Sequence, residues 1–306
     1  MKKVLVATEK PFAPAAVSEI RGVLENAAYE LILLEKYTDP SELIQAVSDV
    51  DAMIIRSDKV TAEVLKAAKN LKIVVRAGAG YDNIDLVAAT EANVVAMNTP
   101  GQNSNAVAEL ALGMMVYMAR NGFNGTAGTE LKGKTLGIHA FGNVGKLVAG
   151  IAKGFGMKVF AFDPFVPAEI IEKEGVEVVK SVEDLYRSSQ YISLNIPSNE
   201  ETRSSIGYDI LNMMPEGASL VNTARKEVID EKGLLKLFSE RPDFKYLSDI
   251  APDCHEKIEN DFPGRYFFTP KKMGAQTAEA NINAGKAAAN QIVAFIEEGV
   301  ATFKVN

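Results

Sequence analysis

The sequence has a single cysteine, Cys254, in 306 residues. That excludes an internal disulfide and a cysteine-rich metal site, and no metal is expected. It has no run of about 18 apolar residues, which excludes a membrane-spanning helix by length. The opening stretch, MKKVLVATEKPFAPAAV, holds too short an apolar run for a secretory signal. It reads instead as a strand followed by a proline-containing turn. Basic residues are not in excess: 33 Lys and Arg stand against 40 Asp and Glu, a formal net charge of −7. A bulk basic surface for nucleic acid is thereby excluded, whereas a small anion can still be held by a local cluster of cations. The expectation is a cytoplasmic protein with neither nucleic acid nor membrane as partner.

What is present is alternation. Hydrophobic residues make up 47% of the chain and charged residues 24%, which suits a globular protein, and the length suggests two domains. KKVLVAT, YELILLEK, VDAMIIRS, KIVVRAG and NVVAMN read as strands, with helical patterns between them. TLGIHAF, KVFAFDP, YISLNIP, ASLVNTA, KYLSDI and RYFFTP follow in the same manner. Strands apolar on both faces, alternating with helices, predict an α/β fold with two parallel sheets. A boundary is expected near Asn98–Gly101. After it, SNAVAELALGMMVYMAR predicts a long helix apolar on most faces, to be buried between domains or at a subunit interface. Residues 121–134, Gly-rich and polar, read as a connector. The last helix is expected to end at Gly299 as its C-cap and to pack onto the first domain.

The most informative segment is KTLGIHAFGNVGKLVAGIAKGFGMKVFAFDP, residues 134–164. It reads strand, glycine turn, helix, strand, acid. In a dinucleotide site the glycines let the pyrophosphate approach the backbone, and the helix N-terminus supplies N–H groups. Here the triple is Ala140-x-Gly142-x-x-Gly145, so the first glycine is replaced, while Asp163 follows 18 residues past Gly145. An acid there accepts from ribose hydroxyls and repels a 2′-phosphate, so NAD is expected rather than NADP. His139, in the strand before the turn, reads as a buried, hydrogen-bonded histidine.

Four separated motifs then coincide in order: RAGAGYDNIDLVAAT, VVAMNTPGQNSNAVAELALGMMVYMAR, the nucleotide segment, and LVNTARKEVIDEKGLL. Together they resemble the D-isomer-specific 2-hydroxyacid dehydrogenases over nearly the whole chain, most of all the short phosphoglycerate dehydrogenases. The resemblance implies two Rossmann-like parallel-sheet domains with a cleft between them. Residues 1–97 with 279–306 would form a discontinuous substrate domain, and 98–278 the NAD domain, through which a homodimer would pair. It implies that Gly142, Asn143, Val144, Gly145, Asp163 and Pro164 face the cofactor. Asn195, Ile196, Pro197 and Thr202 would form a loop under its adenine and ribose. Thr223, Ala224, Asp249 and Gly274 would complete the site, with Asp249 near the nicotinamide amide.

Oxidising a 2-hydroxy acid requires a carboxylate clamp, a group to take the hydroxyl proton, and close placement against the nicotinamide. Arg225, after an apolar strand in NTARKEV, is the clamp candidate, because guanidinium binds carboxylate in a bidentate way. The Gly78-Ala79-Gly80 turn could add backbone N–H groups. Arg56, Ser57 and Lys59, in IIRSDKVT, and Arg76 lie at strand ends; the resemblance directs these toward a substrate phosphate. The family's proton-transfer histidine follows a Thr-Pro pair. Here Thr269-Pro270 is followed by Lys271-Lys272-Met273-Gly274-Ala275. Counting forward selects Lys271. Counting back from the Gly-Ala turn selects Lys272, which is preferred because that turn marks the helix start. Family spacing puts Cys254 where a supporting carboxylate belongs, with Asp253 the candidate acid beside it and His255 an alternative proton-transfer group.

The resemblance implies oxidation of 3-phosphoglycerate to 3-phosphohydroxypyruvate, the entry to serine biosynthesis, so the partner would be a small, anionic, phosphorylated substrate. Reduction of glyoxylate or hydroxypyruvate, and a non-catalytic NAD-sensing protein, are the alternatives. With the sequence ending at Asn306, no C-terminal regulatory domain and no serine feedback through one are expected.

Overall fold

The computed structural model describes residues 1–306 and divides into two compact units, 1–103 with 276–306, and 104–275. The boundaries expected from sequence, 97/98 and 278/279, lie a few residues from these. No helix is long and apolar enough to cross a membrane.

The first unit runs β1 (Lys3–Thr8), α1 (Pro14–Asn26), β2 (Glu30–Glu35), α2 (Pro40–Ala46), β3 (Ala52–Ile55), α3 (Ala62–Ala67), β4 (Ile73–Arg76), α4 (Leu86–Glu91) and β5 (Val95–Asn98), and is completed by the C-terminal helix Ala278–Glu298. Its five strands pair in the order β2-β1-β3-β4-β5, all parallel. Strand side chains alternate between faces, and both faces are apolar because helices cover both. Val4, Val6, Ile54 and Val75 pack with Ile20 and Leu24 of α1 and with Ala288 and Ile292 of the C-terminal helix. Leu5, Ala7, Met53 and Val74 pack on the other face with Leu43, Val64 and Leu65. Each such fully buried side chain contributes about 1.5–3 kcal/mol of transfer free energy. The C-terminal helix thus packs onto the first unit, as the sequence predicts. Thr277 caps its start and Gly299, with φ of +73°, ends it.

The second unit runs α5 (Ser104–Ala119), β6 (Thr135–His139), α6 (Asn143–Gly154), β7 (Lys158–Phe162), α7 (Ala168–Lys173), β8 (Glu177–Val178), α8 (Val182–Ser188), β9 (Tyr191–Leu194), α9 (Tyr208–Leu211), β10 (Ser219–Asn222), α10 (Glu231–Glu240), β11 (Lys245–Ser248), α11 (His255–Asp261) and β12 (Tyr266–Phe268). Seven parallel strands pair in the order β12-β11-β10-β9-β6-β7-β8. The two-residue β8 is not anticipated, although Val176 and Val178 flank Glu177 in strand-like alternation.

Most apolar side chains of helix α5 are covered within the second unit, while Leu110, Val116 and Tyr117 stay half-buried. Ala108, Ala111, Leu112, Met114, Met115 and Met118 enter the core of the second unit, with Leu136, Ile138 and Val148. The helix has few polar positions because it lies in one side of that core.

Progression along the sheet reverses at β6, which has β7 on one side and β9 on the other. In open parallel sheets such a reversal opens a crevice at the C-terminal strand ends, where ligands bind.

Candidate active site

The turn after β6 is built from three small residues with different jobs. Ala140 stands where the fingerprint has its first glycine and takes φ of +76°, a left-handed conformation that costs an L-residue about 1–2 kcal/mol. Gly142 is the N-cap of α6 and no side chain caps that helix end. A Cβ at Gly142 would meet nothing within 4 Å, so the space in front of the helix is open. Gly145 serves packing: a Cβ there would lie 2.3 Å from the Ala140 carbonyl oxygen and 2.9 Å from Ile138. Asn143 is exposed and Val144 half-buried in the first turn.

Asp163, just past β7, ties this turn down. Its Oδ2 accepts from the Phe141 N–H at 2.7 Å and its Oδ1 from the Phe165 N–H at 2.8 Å. Pro164 beside it is exposed. A carboxylate has about four acceptor positions, so two remain for ribose hydroxyls. His139 is the structural histidine expected: its Nδ1 meets the Tyr186 hydroxyl at 3.1 Å. Burial pushes the imidazole down to about 4, against the opposing pull of Asp163, so the ring is neutral at pH 7.

At the ends of β9 and β10, two polar atoms are buried without a partner: Asn195 Oδ1 and Thr223 Oγ1. The strand register pairs Leu194 with Asn222, so these two residues are neighbours across the sheet. Buried orphans of this kind are rare and costly unless a ligand satisfies them. They, the uncapped α6 end and the open space at Gly142 fit a cofactor that carries hydroxyl, amide and phosphate groups. Ile196 is buried, Pro197 exposed, and the Thr202 hydroxyl donates to the Pro197 carbonyl at 2.6 Å, closing that loop.

Arg225 and Lys272 come together. Arg225 Nη1 and Lys272 Nζ both donate to the Ala224 carbonyl, at 2.9 and 3.1 Å. The turn presenting that carbonyl is shaped by Asn222. Its Oδ1 accepts from the Ala224 N–H at 3.0 Å, and its Nδ2 donates to the Arg225 carbonyl at 2.9 Å. Sequence reasoning missed Asn222, although an Asn ending a strand before a turn is a recognised signal for such local bonding.

Asp249, after β11, is only 2% exposed. It accepts from the Thr269 hydroxyl and from the Met273 and Gly274 N–H groups, at 3.1, 2.9 and 2.8 Å. The Gly274 N–H is therefore spent within the protein. Lys271 is exposed and makes no hydrogen bond or ion pair. Asp253 is not brought to Lys272: its side chain is 78% exposed and pairs with Lys226 at 2.5 Å. The Asp253 and Cys254 N–H groups are held by Glu231, at 2.7 and 2.9 Å. Burial pushes the Cys254 thiol up to about 12, so it stays protonated and unreactive. His255 begins α11 and faces Glu259 at 3.4 Å on an exposed surface.

In the first unit, the candidate cations sit at the ends of β3 and β4. Arg56 is largely committed to the protein. It donates to the Lys10 and Pro11 carbonyls at 3.3 and 3.2 Å and to Asn281 at 2.5 Å, and lies over the Phe12 ring. Arg76 Nε donates to the Arg56 carbonyl at 3.1 Å. Its guanidinium lies over Gly78, where a Cβ would fall 1.5 Å from Nη1, so only glycine is compatible with this placement. Ser57, Lys59 and Ala79 are exposed, and Gly80 is half-buried. Asp58, buried and missed in the sequence, accepts from the Glu9 and Arg56 N–H groups and the Tyr37 hydroxyl, at 2.7, 3.2 and 2.8 Å.

Residues 114–263 match the family model described as D-isomer specific 2-hydroxyacid dehydrogenase, NAD binding domain. The chain is 40% identical to a hydroxypyruvate reductase of Thermotoga maritima, over 84% of this chain and 88% of that one. It is 36% identical to a D-3-phosphoglycerate dehydrogenase of Methanocaldococcus jannaschii, over 87% of this chain and 53% of that one. The chain spans about half the length of the curated phosphoglycerate dehydrogenases it matches. Among solved structures, the NAD+-bound 3-phosphoglycerate dehydrogenase of Entamoeba histolytica is 48% identical, with a TM-score of 0.88 over 100% of this chain and 98% of that one. The chain belongs to the D-isomer-specific 2-hydroxyacid dehydrogenases, and residues 114–263 lie in their NAD-binding domain.

Proposed function

We propose that this protein is an NAD-dependent dehydrogenase of 2-hydroxy acids, and that its substrate is 3-phosphoglycerate. The observation that carries the reading is the convergence of Arg225 and Lys272 on one carbonyl at the C-terminal edge of the NAD-domain sheet. Bound NAD would accept hydride from C2 of the substrate. The guanidinium of Arg225 would hold the substrate carboxylate by paired N–H bonds and, as a fixed cation, stabilise negative charge developing on the C2 oxygen. Lys272, as the neutral amine, would take the hydroxyl proton as the carbonyl forms, so one hydride and one proton leave together. Asp163 would accept from the adenosine ribose hydroxyls, which favours NAD over its 2′-phosphorylated form.

The choice of a phosphorylated substrate rests on the identity to the Entamoeba and Methanocaldococcus proteins and on Arg56, Lys59 and Arg76. One observation favours a second reading, reduction of hydroxypyruvate or glyoxylate. Most of the Arg56 donors are already taken by carbonyls and Asn281, which leaves exposed Lys59 as the more available cation. Absorbance at 340 nm tests both. The first reading requires kcat/KM for phosphohydroxypyruvate to exceed that for hydroxypyruvate by at least ~100-fold, the order expected when a charged phosphate meets a built site. Equal values would select the second, and no absorbance change with any of these acids would reject both.

A further inference from the structure

We infer that Asp58 is a positioning residue: its buried carboxylate fixes the turn that presents Arg56, Ser57 and Lys59, and through that turn it sets the preference for a phosphorylated acid over an unphosphorylated one. The inference rests on the reading of that turn as part of the phosphate site.

Asp58 lies inside a turn whose neighbouring members face solvent. Ser57 and Lys59 on either side of it are exposed, whereas Asp58 is 2% exposed. A carboxylate is buried that deeply only where donors meet it. Three do, and each comes from the end of a different strand. Oδ1 accepts from the N–H of Glu9, just past β1, and from the hydroxyl of Tyr37, just past β2, at 2.7 and 2.8 Å. Oδ2 accepts from the N–H of Arg56, just past β3, at 3.2 Å. These three strands are adjacent in the sheet, so one acid ties their C-terminal ends together. Burial, and then the Asp58 carboxylate beside it, pushes the Tyr37 phenol well above its ordinary value, so the hydroxyl keeps its proton and donates.

The loop after β4 joins the same arrangement. Asn83 Nδ2 donates to the Arg56 and Asp58 carbonyls, at 3.1 and 2.7 Å, and the Asn83 carbonyl accepts from the Val60 N–H at 2.9 Å. The backbone from Arg56 to Val60 is thus bonded at both ends and in its middle, while the Lys59 side chain is left in solvent. The Arg56 guanidinium returns to the Lys10 and Pro11 carbonyls, in the same loop whose Glu9 N–H is held by Asp58. A displaced Asp58 therefore shifts both the turn that carries the cations and the loop on which Arg56 rests. A phosphate is held by several charge-assisted hydrogen bonds at once, and each weakens steeply as its geometry departs from the ideal. Loosening this turn costs affinity for the phosphate and leaves the carboxylate clamp proposed at Arg225 untouched.

The test compares Asp58→Asn, which keeps the size but replaces an acceptor by a donor, with Tyr37→Phe, which removes one donor and keeps the charge. KM and kcat are read for phosphohydroxypyruvate and for hydroxypyruvate at saturating NADH, together with amide hydrogen exchange over residues 55–61. The KM for phosphohydroxypyruvate should rise roughly 10-fold in Asp58→Asn and about 3-fold in Tyr37→Phe, with kcat and the KM for hydroxypyruvate within about twofold of the parent. Exchange over 55–61 should accelerate in both. A pure charge effect has the opposite sign: Asp58→Asn would remove a negative charge beside an anion site and lower the KM for the phosphorylated acid, and Tyr37→Phe would do nothing. That pattern, or an equal rise of KM for both acids, would overturn the inference. If Asp58→Asn fails to fold, Tyr37→Phe carries the same readouts. The parent enzyme separates the two ideas. A parent without preference for the phosphorylated acid refutes the phosphate site, and the specificity role of Asp58 with it. A parent that has the preference, with variants that keep both it and the parent KM, refutes the role of Asp58 alone.

Discussion

Lys272 and Arg225 donate to the same oxygen, the carbonyl of Ala224, at 3.1 and 2.9 Å. Two basic side chains from segments nearly fifty residues apart are therefore gathered at one point of the sheet edge. Lys271, next in sequence, takes no part in this. Replacing Lys272 by Met should lower kcat by about 10²–10⁴-fold, the usual range for a lost acid/base group, while NAD still binds. Lys271→Met should stay near the parent rate. Steady-state kinetics on the two variants decides it. Collapse in Lys271→Met with survival of Lys272→Met would reverse the assignment.

Asp163 has one role seen in the structure, holding the glycine turn, and a second proposed for it, on the ribose. It accepts from the Phe141 and Phe165 N–H groups, and its remaining acceptor positions are those proposed for the ribose. Asp163→Ala should weaken NAD binding by at least ~10-fold, since hydrogen bonds to charged groups contribute about 1.5–3 kcal/mol. NADP binding should weaken less or improve, because the repulsion of a 2′-phosphate is gone. Calorimetric titration with both cofactors reads the ratio. An unchanged NAD-to-NADP preference would leave Asp163 as a support for the glycine turn only.

How much of this was legible depends on how local the cause is. The parallel strands and the βαβ unit could be read because their patterns lie within a few residues. The glycine turn could be read despite Ala140, because Gly145 and Asp163 hold their spacing. The choice between Lys271 and Lys272 could not be closed, since Thr269-Pro270 and Gly274-Ala275 give two registers one residue apart. What distinguishes the lysines in the structure is the bond from Lys272 Nζ to the Ala224 carbonyl, 48 residues away. No window of sequence contains that relation. The same holds for Arg56, whose partners include Asn281, and for α5, whose apolar faces do not reveal which neighbour covers them.

Ala140 offers a stability test of the departure from the glycine fingerprint. Its φ of +76° is unfavourable for alanine and free for glycine. Ala140→Gly regains that strain but loses a methyl contact and some restriction of the unfolded chain. The net expectation is a gain of about 0.5–1 kcal/mol, read as a higher urea midpoint with an unchanged slope. A lower midpoint would mean that the methyl, which packs against a buried cluster of the second unit, outweighs the backbone strain.

His139 makes stability depend on acid. Its folded value lies near 4, below the ordinary 6.5, because burial disfavours the charged ring. Between those two values the unfolded chain takes up a proton that the folded protein refuses. Stability is therefore fully present above about pH 6.5 and is lost as pH falls toward 4, by up to about 3 kcal/mol from this one group. His139→Gln keeps a polar partner for the Tyr186 hydroxyl but cannot titrate in this range. Urea unfolding of both proteins at pH 7 and pH 4.5 should show the parent losing more stability than the variant. Equal losses would mean that the folded imidazole is protonated as readily as the unfolded one, and that its contact with Tyr186 does not keep it neutral.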